Sequence, residues 1–197
     1  MLFLMLVALK RRESLMKLYF YSSRANINSY FIVNEDVNSK DGILIDPTHI
    51  NEHFIEKIES EGVLLKLVLL TNANHPYILH GIRSLQKIYN FEIFSLSARE
   101  QMKRGQSFIY ENGSFQIEAY PIKMNGKDVC MYKIGTLLFT GLPFLDGFLL
   151  PSDPSFLEKI ERERLKDFWL SLSEQTLCFP LSGPPFTIKT FKFYAEA

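Results

Sequence analysis

Residues Leu64 to Leu70 read Leu-Leu-Lys-Leu-Val-Leu-Leu, and the polar loop Thr71-Asn72-Ala73-Asn74-His75-Pro76 follows at once. An aliphatic run this short and this continuous predicts a strand buried on both faces, which needs a packed layer on each side. The neighbouring segments supply such layers. Ile50, Phe54, Ile55 and Ile58 fall at helical spacing and stop at Gly62, predicting a helix over about 50–61. After the polar loop, Ile78, Ile82, Leu85 and Ile88 give the apolar face of a second helix, with an Asn cap and Pro76 in its first turn. A third helix is expected over about 154–173, capped by Asp153, with Leu157, Ile160, Leu165, Phe168 and Leu172 along one face. Its charged run contains Glu158/Arg162 and Lys159/Glu163 at i,i+4, the mark of a solvated surface.

Short β-branched or aromatic runs at 17–21, 29–34, 43–46 and 91–96 read as strands. Two hairpins follow, one around Asn112-Gly113 and one around Gly135-Thr136, and a last strand covers Leu177 to Pro180. Strands with interspersed helices and hairpins in each half predict an α+β, αββα sandwich: two mixed β-sheets packed face to face with helices outside. A chain of 197 residues at 47% hydrophobic suits one such domain.

Lys+Arg and Asp+Glu are both 22, so the formal net charge is zero and an electrostatic nucleic-acid binder is not expected. Cys130 and Cys178 lie in apolar runs and are too few for a disulfide framework or a thiolate zinc site; both are expected to be reduced core thiols. Met1 to Leu9 is apolar and precedes Lys10-Arg11-Arg12, an order opposite to that of a secretory signal, and it is shorter than the roughly 20 residues a spanning helix needs. Residues 1–15 are therefore expected to be an extension or a mis-assigned start, with a membrane-surface anchor as the alternative, and 16–197 the single domain of a cytoplasmic protein without a membrane span.

Five fragments carry a family resemblance. Asn28-Ser29-Tyr30 with Gly42-Ile43-Leu44-Ile45-Asp46-Pro47 is similar to opening strands that end in an Ile-Asp-Pro-Gly turn. Leu69-Leu70-Thr71 and its polar loop stand where a T-H-x-H-x-D-H metal loop would. Tyr120-Pro121 through Val129-Cys130-Met131-Tyr132 matches a P-G-H-T-x-G-S-V-x-Y stretch, Leu138-Phe139-Thr140-Gly141 an L-F-T-G-D strand end, and Pro180 through Gly183-Pro184 a P-G-H-G-P turn. In this order they resemble the metallo-β-lactamase superfamily, especially its small glyoxalase II-like hydrolases, over about residues 16–190.

The resemblance implies imidazole and carboxylate ligands that hold zinc and make hydroxide at neutral pH. At those positions this chain has Asn72, Asn74, Pro76, Tyr77, Lys123, Leu142 and Ser182. No side chain of that set is a His, Asp, Glu or Cys, so the family's dinuclear centre is not expected. The loss is electrically coherent, because both carboxylate positions are uncharged. Asp46 remains, and Lys123 is expected either to pair with it in place of the lost metal or to point to solvent.

His49 and His53 lie four apart in the first predicted helix, either as surface residues or as a shared ligand pair; with His75 and His80 they give the alternative of one divalent metal at a relocated site, built from His49, His75 and His80. Ser182 lies in Leu-Ser-Gly-Pro, which is no nucleophile elbow. The expected function is non-catalytic and without cofactor, with Asp46, Asn72, Asn74, Tyr77, Lys123 and Ser182 lining the former metal cleft for a small polar ligand, or with action through protein contacts. A thioesterase-like hydrolase with a relocated metal or a metal-free mechanism is the alternative. The apolar stretch Phe144-Leu145-Asp146-Gly147-Phe148-Leu149-Leu150 is expected to cover the cleft or to form a subunit contact in a homo-oligomer.

Overall fold

The computed structural model describes residues 2–3, 9–11, 14–23, 26–35, 40–48, 50–95, 108–112, 115–124, 127–141 and 159–190. For 2–3, 9–11, 14–15, 108–112, 123–124, 127–128 and 159–164 it describes the backbone alone. In chain order the elements are β1 (Leu2–Phe3), β2 (Leu9–Arg11), β3 (Ser14–Ser22), β4 (Asn28–Asn34), β5 (Asp41–Ile45), α1 (Glu52–Glu61), β6 (Leu64–Leu69), α2 (Pro76–Leu85) and β7 (Glu92–Phe94). The second half adds β8 (Phe108–Asn112), β9 (Phe115–Met124), β10 (Lys127–Ile134), β11 (Leu137–Phe139), α3 (Lys159–Ser171), β12 (Leu177–Phe179) and β13 (Phe186–Thr187).

Among the described residues these strands form two mixed sheets. The first runs β1-β3-β4-β5-β6-β7 with β2 also on β3; the second runs β13-β12-β11-β10-β9-β8. Strands β5, β6 and β7 are parallel, with α1 and α2 as their crossovers, and β11 and β12 are parallel with α3 between them in sequence. Alternation along β4 shows how the layers are made. Tyr30 and Ile32 face the second sheet, while Phe31 and Val33 face α1 and α2. Between the sheets lie Leu18, Ile43, Ile45, Leu67 and Leu69 against Ile117, Cys130, Tyr132, Ile134 and Phe139. Val129, Met131, Leu138 and Cys178, on the outer face of the second sheet, pack on Leu165, Trp169 and Leu172 of the α3 region. The expected αββα sandwich is the fold observed.

Local signals set the first helix. Asn51 accepts a hydrogen bond from the Phe54 amide through its side chain (2.9 Å), and Gly62 closes the helix at φ +62°. Asn51→Ala is expected to cost about 1 kcal/mol in urea unfolding, and an unchanged midpoint would contradict that role.

Several expectations are corrected. The strand at 64–69 is buried on both faces only in its second half, because Leu64 and Lys66 are exposed at its entry. The cap position of α2 is His75, without a side-chain cap bond, and Asn72 instead accepts from the Asn74 amide in the preceding turn. Ile88 falls beyond α2 in a turn, exposed. The first hairpin closes on the pair Asn112↔Phe115, so Asn112 belongs to the strand. Trp169, absent from the expected face of the third helix, is its largest fully buried side chain. Within the segment expected as an extension or a mis-assigned start, β1 pairs with Phe20–Tyr21 and β2 with Ser14–Met16. The predicted start of the third helix at 153–158 and the apolar stretch 144–150 lie outside the described residues.

Candidate functional site

The candidate site begins where β5 runs out. Asp46 leaves the strand at φ +49°, a left-handed conformation that Asp tolerates better than most residues, and its amide donates to the Leu69 carbonyl (3.0 Å). Its carboxylate is buried. Oδ1 accepts from the Thr71 amide (2.8 Å) and Oδ2 from the Thr71 hydroxyl (2.5 Å). Burial pushes the carboxyl up to about 7, against the opposing pull of the two Thr71 hydrogen bonds.

Thr71 holds more than Asp46. Its carbonyl accepts from the Cys130 amide (2.8 Å), joining the end of β6 to the second sheet. Gly141, at φ +64°, passes so close that a Cβ there would come within 2.4 Å of the Thr71 Cβ. On the other side the Ser29 hydroxyl donates to the Asp46 carbonyl (2.6 Å), accepts from the Thr48 amide (3.0 Å) and contacts the Thr48 hydroxyl (2.9 Å). Asn28 pins the last turn of the site: its amide side chain donates to the carbonyls of Pro180 (3.0 Å) and Gly183 (2.8 Å), and its backbone N–H donates to Leu181 (2.8 Å). Tyr30 donates to the Pro180 carbonyl as well, and its ring packs tilted against Phe139 and edge-on against Phe179. Buried hydroxyls, amides and the carboxyl thus satisfy one another and the backbone.

The loop from Asn72 to Tyr77 follows directly on Thr71. The Asn72 carbonyl accepts from the His75 amide (3.2 Å), and the His75 carbonyl accepts from Leu79 as α2 begins. The rings of His75 and Tyr77 are 5.7 Å apart. Asn74 and Tyr77 are exposed, Asn72 and Ser182 half-buried. Asn72, Asn74 and Tyr77 therefore share one loop and helix start, and Ser182 sits in the turn that Asn28 ties to β4.

Thr71 engages both oxygens of Asp46, the residue expected to pair with Lys123. Lys123 falls within β9, opposite Asp128, rather than in a loop; its side chain lies outside the described residues, as does Leu142. Helix α1 starts at Glu52, so of the two histidines expected on it only His53 lies within it; His49 is outside the described residues. His53 is exposed, with Nδ1 3.7 Å from Glu56 Oε2, and His80 is exposed on α2. Asn28, Ser29, Thr48 and above all Thr71 are residues that sequence reasoning gave no role beyond strand or motif membership. A Thr closing a buried strand beside a retained Asp was the available signal.

The donor set can be tested against a zinc centre. At the positions implied by the family resemblance the described side chains are two neutral amides, a proline in the first turn of α2, an exposed phenol and a serine hydroxyl, and one amide oxygen already accepts from the Asn74 amide. Among the described residues, no three His, Cys, Asp or Glu side chains gather where they would hold a metal ion. These residues do not fit a zinc or di-iron centre.

No protein-family model and no curated protein sequence matches the chain. Solved structures do. The B3 metallo-beta-lactamase BLEG-1 superposes with a TM-score of 0.67 at 15% identity, covering 89% of this chain and 95% of that one. ETHE1 from Myxococcus xanthus gives 0.63 at 16% identity over 89% and 81% of the two chains. The chain has the metallo-β-lactamase fold. An archaeal metallo-β-lactamase superfamily protein from Sulfolobus tokodaii gives 0.61 at 12% identity over 91% and 84%, so proteins that share the metallo-β-lactamase fold with this chain share little of its sequence.

Proposed function

We propose that this chain is a metallo-β-lactamase superfamily member that has given up metal-dependent hydrolysis and uses the former metal cleft to bind a small polar ligand. The observation that carries the reading is the replacement of every implied ligand by a side chain that does not bind zinc, together with the sequestration of Asp46 by Thr71. The cleft groups Asn72, Asn74, Tyr77 and Ser182 offer amide and hydroxyl donors and acceptors without a nucleophile–base pair. Lys123 belongs to this proposed set as the cationic member. No cofactor is part of the reading, and two buried free thiols suit a reducing, cytoplasmic setting. Among the described residues no helix is long and apolar enough to cross a membrane.

The test pairs binding with turnover on the full chain. Screening a panel of small polar compounds by amide NMR is expected to give saturable shifts at Asn72, Asn74, Tyr77 and Ser182. Tyr77→Ala, at an exposed position, is expected to weaken such binding roughly tenfold without loss of fold. Glutathione thioester hydrolysis is expected to stay at background with and without added zinc. Zinc-dependent turnover that survives repurification would overturn the proposal.

A further inference from the structure

Away from the cleft residues, α1 and the end of α2 enclose an open groove of about 950 Å³ lined by Ile50, Asn51, Glu52, His53, Ile55, Glu56, Ser84 and Ile88. Three isoleucines give it an apolar floor. Ile50 and Ile55 are half-buried at the margin of the core under α1 and α2, whereas Ile88 is 55% exposed. The two walls are tied together, since the Tyr89 hydroxyl, next to Ile88, donates to Glu59 of α1 (2.6 Å). The groove's acidic side chains, Glu52 and Glu56, both stand exposed at the rim, with the His53 imidazole 3.7 Å from Glu56. Among the described residues no lysine or arginine lines it; Arg83 and Lys87, close by in sequence, are not among the lining residues. In a chain of zero formal charge this negative rim is a local feature.

We infer that this groove docks a partner polypeptide segment carrying aliphatic side chains flanked by lysine or arginine. Aliphatic groups cover Ile50, Ile55 and Ile88, and the basic groups meet Glu52 and Glu56 at the rim, where charge directs partner choice more than it adds affinity. The inference does not depend on the ligand reading of the cleft, which involves none of these residues.

Fluorescence anisotropy of the full chain with a labelled amphipathic peptide of leucine and lysine tests it. The same peptide with serine for leucine serves as the control. Saturable binding is expected to weaken about tenfold or more in Ile88→Asp and in Glu52→Lys/Glu56→Lys, and with the serine control, as for loss of a central contact or its charge partners. Tyr77→Ala is expected to bind the peptide like the parent. Absent binding, equal binding of the serine control, equal binding by the groove variants, or loss of binding in Tyr77→Ala would each overturn the inference. So would self-association in light scattering that Ile88→Asp abolishes, because the occupant would then be a second copy.

Discussion

Asp46→Ala is expected to lower the unfolding free energy by about 2–5 kcal/mol, because it strands the buried Thr71 amide and hydroxyl without their acceptors. Alanine is also less tolerant than aspartate of the left-handed backbone at this position. Asp46→Asn separates charge from hydrogen bonding. Its amide oxygen still accepts from the Thr71 amide, and its NH₂ donates to the Thr71 hydroxyl, so much of the stability is retained.

The two variants also differ from the parent in pH dependence. The folded carboxyl titrates near 7 rather than at its ordinary 3.8, so it keeps its proton while the unfolded chain loses one. Stability from this group is therefore fully present below about 4, declines as pH rises from about 4 to 7, and is level above, with an upper bound of roughly 4 kcal/mol. Urea unfolding from pH 4 to 8 is expected to show that decline in the parent and not in Asp46→Asn. Equal slopes for the two proteins would contradict the account of the buried carboxyl.

Gly81→Ala is the second large effect. Gly81 lies within α2, where alanine is intrinsically favoured by up to about 1 kcal/mol. Packing outweighs propensity here, because a Cβ at this position would sit 2.0 Å from the Pro47 carbonyl oxygen and 2.6 Å from its carbon. Those are backbone atoms of the turn that carries Asp46, so relief requires α2 or the turn itself to move. A loss of about 3 kcal/mol is expected, at the upper end of overpacking costs. For a chain of this size that corresponds to roughly 6–12 °C in Tm. Thermal unfolding followed by circular dichroism checks it, and a Tm at or above that of the parent would show that the helix does not press on the turn.

The elements most legible in the sequence are those whose limits are set locally. Gly62 ends α1 because a left-handed residue is needed there, and Asn51 starts it through its own side chain. The β-branched and aromatic run at 29–34 marks β4, and the order of strands, helices and motif fragments was enough to give the fold at 12–16% identity to the solved structures compared. What escaped depends on contacts distant in sequence. Thr71 meets Asp46 across 25 residues and Cys130 across the two sheets, and a Thr at a strand end hints at such contacts without naming its partners. Pairing of β1 and β2 with β3 was hidden because an apolar segment followed by three basic residues has no strand alternation. The two Thr71 hydrogen bonds on Asp46 were likewise not legible, because charge counting looked for a cationic partner at Lys123 and not for a hydroxyl and an amide.

The central claim, that the metallo-β-lactamase fold persists here without its metal chemistry, is tested most directly by metal content. Untagged protein prepared without chelator, then incubated with zinc, iron or manganese and repurified, is to be measured by mass spectrometry. The account predicts less than about a tenth of an equivalent of any of these metals, since the implied positions offer amides and hydroxyls in place of imidazoles and carboxylates. Close to one equivalent of tightly held metal per chain would contradict it.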